Sequence, residues 1–387
     1  MIPQLRASSP SIRCNSAAGT LALILISFSL LSVFVAQARD EARKHYCQNN
    51  LKELALALHN YHSAYGQLPL GAGGTSGHKG YPPIAPTDER SSNQGRLSGF
   101  AGLTPFMEQQ SVWERLTNRV GPDDDEFSKM GPSPSISADE YPLWAVQIDL
   151  FLCPADPAMR VDYGLRSYMF NYGDGIESVG RMFDDGVDDR RLARRVGRGT
   201  FAAHTTIKFR DIVDGMSNTA MIGESMIGVA KMNAYTARIA RSIPGLSKSP
   251  DLAMKTVNEQ DKTYRSEQTL WGVGKGSRWA EGFYLLNGFT TVLPPGGPSA
   301  TMAGDPESGV VSASSYHIDG VNLAMADGAI RFVSRFIDTG DSTAPCISPD
   351  NTEKHCPSPY GVWGAMGTRA EKEIIPSERE AKFQTIR

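Results

Sequence analysis

The sequence predicts an α+β protein in which a long N-terminal helix precedes a mainly antiparallel, β-rich domain. Residues 38–65 contain neither proline nor glycine and continue directly from an apolar run, which is typical of one long helix. Later segments alternate apolar and polar residues between Asp-Gly turns, as short strands do. The 38 glycines and 24 prolines likewise indicate many turns.

The N-terminal segment predicts a membrane anchor. Residues 14–38 carry no charge, and Leu21–Ala38 is long enough to cross a bilayer, which takes about 20 apolar helical residues. A cleaved secretory signal is the alternative, because an A-x-A pattern ends at Ala38. The apolar run is long for a signal peptide, which favours the anchor. Arg6 and Arg13 precede the run, so the remainder of the chain should lie outside the cytoplasm.

The segment after the anchor predicts an amphipathic continuation of the same helix. Apolar side chains recur there at three- and four-residue steps: Leu51, Leu54, Leu58, Tyr61 and Tyr65. Together the two parts would form one helix of about 45 residues and about 68 Å. Gly66 and Pro69 are expected to end it.

These patterns divide the chain into three parts. Residues 1–38 are the leader and transmembrane segment, residues 39–68 the amphipathic helix, and residues 69–387 an extracytoplasmic β-rich domain with a mobile insertion at about 229–270. Strands are predicted within "VQIDLFLCPADP", "RSYMFNYGDG" and "TIKFRDIVDGMSNTAMIGES". The last of these contains an expected turn at Asp214 and Gly215.

A hairpin is predicted around Asp327 and Gly328. An Asp-Gly pair between apolar segments favours a two-residue type I′ loop, in which both positions adopt positive φ. Such a loop sets a register that places Leu323 opposite Phe332.

His317 is the histidine that the sequence offers as a candidate functional residue. His317 precedes a predicted six-residue strand, and Asp327 follows that strand. The strand should hold the two residues about 20 Å apart, which argues against a single site that contains both. His317 with Asp319 is the remaining candidate for a metal or catalytic pair. The favoured interpretation is a turn, in which Asp319 bonds the backbone and Gly320 supplies positive φ.

The five cysteines suit an oxidising compartment. Cys14 lies in or before the anchor. Cys346 and Cys356 bracket a polar loop and are predicted to form a disulfide worth about 3 kcal/mol. Cys47 with Cys153 is the remaining candidate pair. A zinc site is the alternative, but the C-x9-C spacing lacks a short C-x2-C element.

No other motif predicts catalysis or a cofactor. His59 and His62 stand three residues apart on the helix without an acidic partner at a matching offset, which favours packing over metal binding. The acidic segment 184–189 lacks the residue order of a calcium loop. A net charge of −3 gives no electrostatic basis for nucleic-acid binding.

Several motifs occur together in a recognisable order, among them "CQNNLKELALALHNYHSAYGQLP", "FLCPADP", "RDIVDGMSNTAMIGES" and "YHIDGVNLAMADGAIRFV". With them the chain resembles a large bacterial family of unknown function. Its members carry a prepilin-type N-terminal segment and a C-terminal H-x9-D-G signature, here His317 to Gly328. The resemblance extends from Cys47 to about Ile375, outside the loops and the insertion.

The resemblance implies a pilin-like layout of helix on sheet, export through the membrane, pseudopilin-like assembly and no established enzyme activity. It also implies that Cys47 and Cys153 belong to recurring motifs. The usual Gly-Phe-Thr-Leu-Val-Glu is replaced around "AAGTLALILI", and the first acidic residue is Asp40. That departure favours an uncleaved anchor over prepilin processing.

We therefore expect a single-pass bacterial membrane protein whose C-terminal domain lies outside the cytoplasm. Its expected role is structural and non-enzymatic, like that of a type II secretion or type IV pilus pseudopilin. The alternative is a cell-surface module that binds a glycan or peptide through loops such as Gly71–Gly95. Expected partners are the membrane, through residues 20–38, and copies of the chain or other envelope proteins, with no cofactor and no nucleic acid.

Overall fold

The computed structural model describes residues 16–75, 89–118, 127, 129–158, 162–180, 194–229, 232–345, 356–373 and 375. Only the backbone is described before Phe34 and at Ala36 and Pro306. The chain divides into two units, Met1–His45 and Tyr46–Arg387.

The elements are few helices and many short strands. The α-helices whose full bounds lie within the described residues are α1 (Ser16–Tyr65), α2 (Gly99–Leu103), α3 (Gln110–Thr117), α4 (Tyr284–Asn287) and α5 (Gly361–Gly367). The strands are β1 (Ala72–Gly73), β2 (Leu97–Ser98), β3 (Tyr168–Asn171), β4 (Ala220–Glu224), β5 (Ala240–Ile243), β6 (Val257–Asn258), β7 (Thr263–Tyr264), β8 (Gly288–Phe289), β9 (Ala300–Met302), β10 (Asp305–Val310), β11 (Gly320–Met325) and β12 (Ile330–Ser334).

A five-stranded sheet with the order β12-β11-β4-β3-β8 organises the second unit. Its neighbours are antiparallel except β3 and β8, which run parallel. A three-stranded sheet, β10-β9-β5, and two ribbons, β1-β2 and β6-β7, complete the strands that the structure describes. The predicted α+β class with a long N-terminal helix and mainly antiparallel sheets is confirmed.

The C-terminal part of α1, residues 46–65, buries the predicted leucine stripe. Leu51, Leu54 and Leu58 are fully buried, whereas Leu56 on the opposite side is 55% exposed. Two polar contacts fix this part of the helix to β11 and the loop after it. Gln48 Nε2 donates to Asn322 Oδ1 at 3.0 Å, and His59 Nε2 lies 3.0 Å from the Ala326 carbonyl oxygen.

The helix ends where the sequence predicts. Gly66 adopts φ +68°, and its amide donates to the His62 carbonyl at 2.8 Å. A left-handed glycine directly after the last helical residue satisfies a carbonyl that would otherwise lack a partner.

No helix among the residues with described side chains is both long enough and apolar enough to cross a membrane. The predicted anchor, Leu21–Ala38, falls mainly on residues whose side chains lie outside that description.

The β11–β12 hairpin forms, but its predicted register is wrong by one residue. Leu323 pairs with Arg331 rather than Phe332. The loop is longer than predicted, because the Met325 amide donates to the Ala329 carbonyl at 2.8 Å and only Gly328, at φ +87°, adopts positive φ in it. This is a three-residue loop of the turn-plus-left-handed-glycine type, and the additional residue shifts the register.

The turn before β11 also differs in detail from its prediction. Asp319, not Gly320, adopts positive φ, at +57°. Glycine is required at position 320 for another reason, since a Cβ there would lie 2.3 Å from the Val333 carbonyl oxygen. The close approach of the two hairpin strands therefore selects this glycine.

Two further segments depart from the predicted strands and insertion. The segment "VQIDLFLCPADP" forms no strand but a 3-10 turn at Asp149–Phe151, because Phe151 is buried edge-on against Phe100.

The insertion at about 229–270 contains β5, β6, β7 and a 3-10 helix over Pro250–Thr256. Its apolar residues join a second buried cluster, and its mobility stays a prediction.

Candidate functional site

Four side chains with metal-binding atoms converge in the second unit: Cys47, Cys153, Glu224 and His317. Their donor atoms all lie within 4.8 Å of one another. Cys47 lies on α1, Cys153 follows the 3-10 turn that ends at Phe151, Glu224 ends β4, and His317 precedes β11. We call these four residues the cysteine–histidine cluster.

The two cysteines of the cluster form a disulfide across 106 residues of sequence, with Cα atoms 5.0 Å apart. The disulfide between Cys47 and Cys153, the remaining candidate pair of the sequence, is thus confirmed. Cys356 is a free, half-buried cysteine. Its predicted partner, Cys346, lies outside the described residues, and that pairing stays a prediction.

The histidine and the carboxylate of the cluster contact each other and the disulfide. His317 Nε2 lies 3.3 Å from Glu224 Oε1 and 3.6 Å from Cys153 Sγ. Their side chains are 6% and 1% exposed, so the imidazole and the carboxylate are almost completely removed from water. Burial of a carboxylate is costly unless donors surround it.

Asn322 on β11 supplies those donors. Its backbone amide donates to Glu224 Oε2 at 2.8 Å, and its side-chain amide donates to Glu224 Oε1 at 3.0 Å. Gln48 in turn donates to Asn322 Oδ1 at 3.0 Å. A continuous chain of hydrogen bonds therefore orients the Glu224 carboxylate toward His317.

Tyr168 on β3 closes the cluster from the sheet. Its hydroxyl donates to the Cys47 carbonyl at 3.3 Å. Burial, with the nearby Glu224 carboxylate adding to it, raises the pKa of Tyr168 well above its usual value. The phenol therefore stays neutral and remains a hydrogen-bond donor.

The family model SBP_bac_10, described as a protein of unknown function (DUF1559), matches residues 36–340. The chain belongs to this family. No curated protein and no solved structure gives a significant match. The matched range includes all four residues of the cysteine–histidine cluster and agrees with the predicted resemblance to a family of unknown function.

Asp319, the candidate metal partner of His317, does not belong to the cysteine–histidine cluster. The Asp319 side chain is 58% exposed, and its Oδ1 lies 3.8 Å from Arg335 Nε. His317 instead joins Glu224 and Cys153. Local sequence patterns could not identify Glu224, because its proximity to His317 follows from the pairing of β4 with β11.

The other predicted turn residues lie away from the cluster. Asp327 and Gly328 form the loop at the far end of β11, where the Asp327 carboxylate accepts the Ala329 amide at 2.9 Å. Gly215 adopts φ +101° in its turn. Asp214 also accepts the backbone amides of Glu371 and Lys372, at 2.8 and 2.6 Å, and so holds a C-terminal segment.

His59 and His62 pack against Phe209. Their rings lie 4.6 and 4.1 Å from the Phe209 ring, and the Phe209 amide donates to His62 Nε2 at 3.3 Å. Burial, with smaller contributions from His59 and Lys208, lowers the pKa of His62.

Lys275 is a fully buried lysine that no sequence motif indicated. Its Nζ donates to the Ser312 carbonyl and to Ser314 Oγ, both at 2.8 Å, and burial lowers its pKa to about 7. A lysine beside a serine could activate a nucleophile. Here Ser314 is fully buried and its hydroxyl donates to the Thr236 carbonyl at 2.7 Å, which favours a structural network.

Proposed function

We propose that the chain is a membrane-anchored, extracytoplasmic structural protein of pseudopilin type, without enzymatic activity. The observation that carries the proposal is α1, one uninterrupted helix of 50 residues from Ser16 to Tyr65. Its N-terminal part coincides with the apolar run of the sequence, and its C-terminal part, residues 46–65, belongs to the β-rich unit. In this proposal the same helix anchors the chain and supports its domain.

The attachment of α1 to the β-rich unit supports this role. Leu51, Leu54 and Leu58 bury one face of the helix, and the disulfide at Cys47 fastens it to Cys153. Structural disulfides belong to oxidising compartments, which suits a domain outside the cytoplasm. A helix laid on an antiparallel sheet is also the layout that the family resemblance implies.

A lone anchored molecule is the form that we favour over a filament. In pilins the glutamate near the start of the apolar helix pairs with the N-terminus of a neighbouring subunit, and here no acidic residue precedes Asp40. The alternative role, binding of a glycan or peptide, stays a prediction, and residues 76–88 of the Gly71–Gly95 loop lie outside the described residues.

Cell fractionation tests this proposal. The full chain, expressed in a bacterial host, should remain in the membrane pellet after alkaline carbonate washing, and protease added to spheroplasts should digest its β-rich domain. Replacement of Leu25 and Leu30 by arginine should release the chain from the pellet, because each arginine near the middle of a membrane helix costs about 3 kcal/mol. Lys52→Glu, an exposed change on α1, is the matched control and should stay in the pellet.

Recovery of the unaltered chain in the carbonate supernatant would contradict the anchor. A β-rich domain that protease reaches only after cell lysis would contradict its placement outside the cytoplasm.

A further inference from the structure

The cysteine–histidine cluster contains more chemistry than a structural disulfide needs. A disulfide is stable beside apolar side chains, whereas Glu224 and His317 here are polar, ionisable and almost fully buried. We propose that reduction of the Cys47–Cys153 disulfide converts the cluster into a zinc site with Cys47, Cys153, Glu224 and His317 as the four ligands. This goes beyond the proposed anchoring role and does not depend on it.

The donor set is that of zinc. Zinc binds cysteine sulfur, histidine nitrogen and carboxylate oxygen, and structural sites use four protein ligands in a tetrahedron. Two thiolates disfavour magnesium and calcium, which prefer oxygen ligands alone.

The spacing of the donors already matches part of a zinc tetrahedron. With zinc bonds of about 2.0–2.1 Å to nitrogen and oxygen and about 2.3 Å to sulfur, tetrahedral geometry puts nitrogen and oxygen about 3.3 Å apart, and nitrogen and sulfur about 3.5 Å apart. The observed separations are 3.3 Å from His317 Nε2 to Glu224 Oε1 and 3.6 Å from His317 Nε2 to Cys153 Sγ. These two separations therefore already suit ligands of one zinc ion.

The two sulfurs are the part that must move. A disulfide holds sulfurs about 2.0 Å apart, whereas two sulfurs on tetrahedral zinc lie about 3.8 Å apart. The disulfide and the metal therefore exclude each other. Rotation about the Cα–Cβ bonds of Cys47 and Cys153, whose Cα atoms are 5.0 Å apart, can supply a separation of this size without backbone rearrangement.

The conversion balances with an external dithiol or phosphine as reductant. The disulfide takes up two electrons and two protons and becomes two thiols, while a dithiol reductant becomes a disulfide or a phosphine becomes its oxide, with oxygen from water. Zinc binding then displaces both thiol protons to solvent and leaves two thiolates on the metal. The imidazole binds through Nε2 in its neutral form, and Glu224 binds as a carboxylate.

The residues around the ligands fit this role. Asn322 donates twice to Glu224, and Gln48 holds Asn322 in place. Hydrogen bonds of this kind orient metal ligands, and their loss typically reduces metal affinity about 10–100-fold. The same two amide donors offset the excess negative charge of two thiolates and one carboxylate around a divalent ion.

The experiment uses the full chain in detergent micelles with Cys14, Cys346 and Cys356 replaced by serine, so that the cluster holds the remaining thiols. Protein that has been reduced with a phosphine under argon and desalted is mixed with zinc chloride, passed through a sizing column and analysed for zinc by elemental mass spectrometry. Reduced protein should retain about one zinc per chain, as a closed four-ligand site binds a single ion. The oxidised protein should retain none.

Variants connect the metal to the named ligands. His317→Ala and Glu224→Gln should each weaken zinc binding at least tenfold, and Asn322→Ala should weaken it about 10–100-fold. His45→Ala is the matched histidine control, since this side chain is 67% exposed on α1, and its zinc affinity should be unchanged. Reduced protein without bound zinc, or unchanged affinity in His317→Ala, would overturn the proposal.

Cobalt chloride gives a readout that does not depend on folded variants. Circular dichroism shows whether each variant folds. If His317→Ala does not fold, the cobalt spectrum of the reduced parent protein tests the site. A thiolate-to-cobalt charge-transfer band with intense visible bands, as tetrahedral cobalt gives, would support the site. A weak spectrum without thiolate character would refute it.

Discussion

His317 finds its partners far from its own position in the chain. Its Nε2 lies 3.6 Å from the sulfur of Cys153, across 164 residues, while its near neighbour Asp319 is largely exposed. A residue's chemistry here depends on which strands pair, so the sequence around His317 could not identify Glu224 as its partner.

Lys275 gives a prediction about pH at the same scale. Burial lowers its pKa from 10.5 to about 7, so between pH 7 and 10.5 the unfolded chain binds a proton that the folded chain has lost. The contribution of Lys275 to stability therefore rises with pH through this window and is constant below it. The free energy of unfolding of the parent should rise relative to Lys275→Met by about 2 kcal/mol between pH 7.5 and 9.5.

Chemical denaturation at both pH values measures this difference. Lys52→Met, at an exposed position on α1, is the control and should show the same difference from the parent at each pH. A pH-independent difference for Lys275→Met would mean that the buried amine keeps its ordinary pKa.

For single residues, the sequence predicted those positions that local backbone geometry determines. His317 and Asp327 do lie at opposite ends of β11, because strand length follows from the residues between them. Glu224 and Lys275 could not be predicted, since their environments arise from contacts with segments 37 to 98 residues away.

The element that matters most is α1, and its pattern was predictable. Leucines at three- and four-residue steps predicted the buried face, and Gly66 predicted the end of the helix. The β11–β12 hairpin was predicted as an element but not in register, because an Asp-Gly pair is compatible with both two- and three-residue loops. The 3-10 turn at Asp149–Phe151 escaped prediction because side-chain packing, not alternation, places Phe151 in the core.

The leucine stripe of α1 gives a prediction about packing. Leu54→Ala should reduce the free energy of unfolding by about 2–5 kcal/mol, since it leaves a cavity in a fully buried position. Leu56→Ala, at a site that is 55% exposed on the same helix, should change it by no more than about 0.5 kcal/mol. Equal effects in urea denaturation would contradict the orientation of α1.

The disulfide gives a second prediction for α1. Replacement of Cys47 and Cys153 by alanine should reduce stability by about 3–5 kcal/mol, because the bond closes a loop of 106 residues in the unfolded chain. Lys52→Met, at an exposed position on α1, is the control and should leave stability unchanged. Denaturation without reductant measures both variants, and a double variant as stable as the parent would show that the bond is absent from the native protein.

At the scale of the whole molecule, buried charged residues hold distant segments together. Arg166 is fully buried and donates to Ser98 Oγ and to the carbonyls of Trp279 and Leu286, at 3.1, 2.8 and 3.3 Å. Arg198 and Asp174 form a buried ion pair. Such contacts specify how the short strands assemble, and no local sequence pattern identifies them.

The whole-molecule claim is that α1 anchors the chain in a membrane and carries an extracytoplasmic domain. Mass spectrometry of the native N-terminus of the chain isolated from whole cells tests it most directly. We predict that the mature chain retains the apolar run Leu21–Ala38. A mature chain that begins at Arg39 would contradict the anchor.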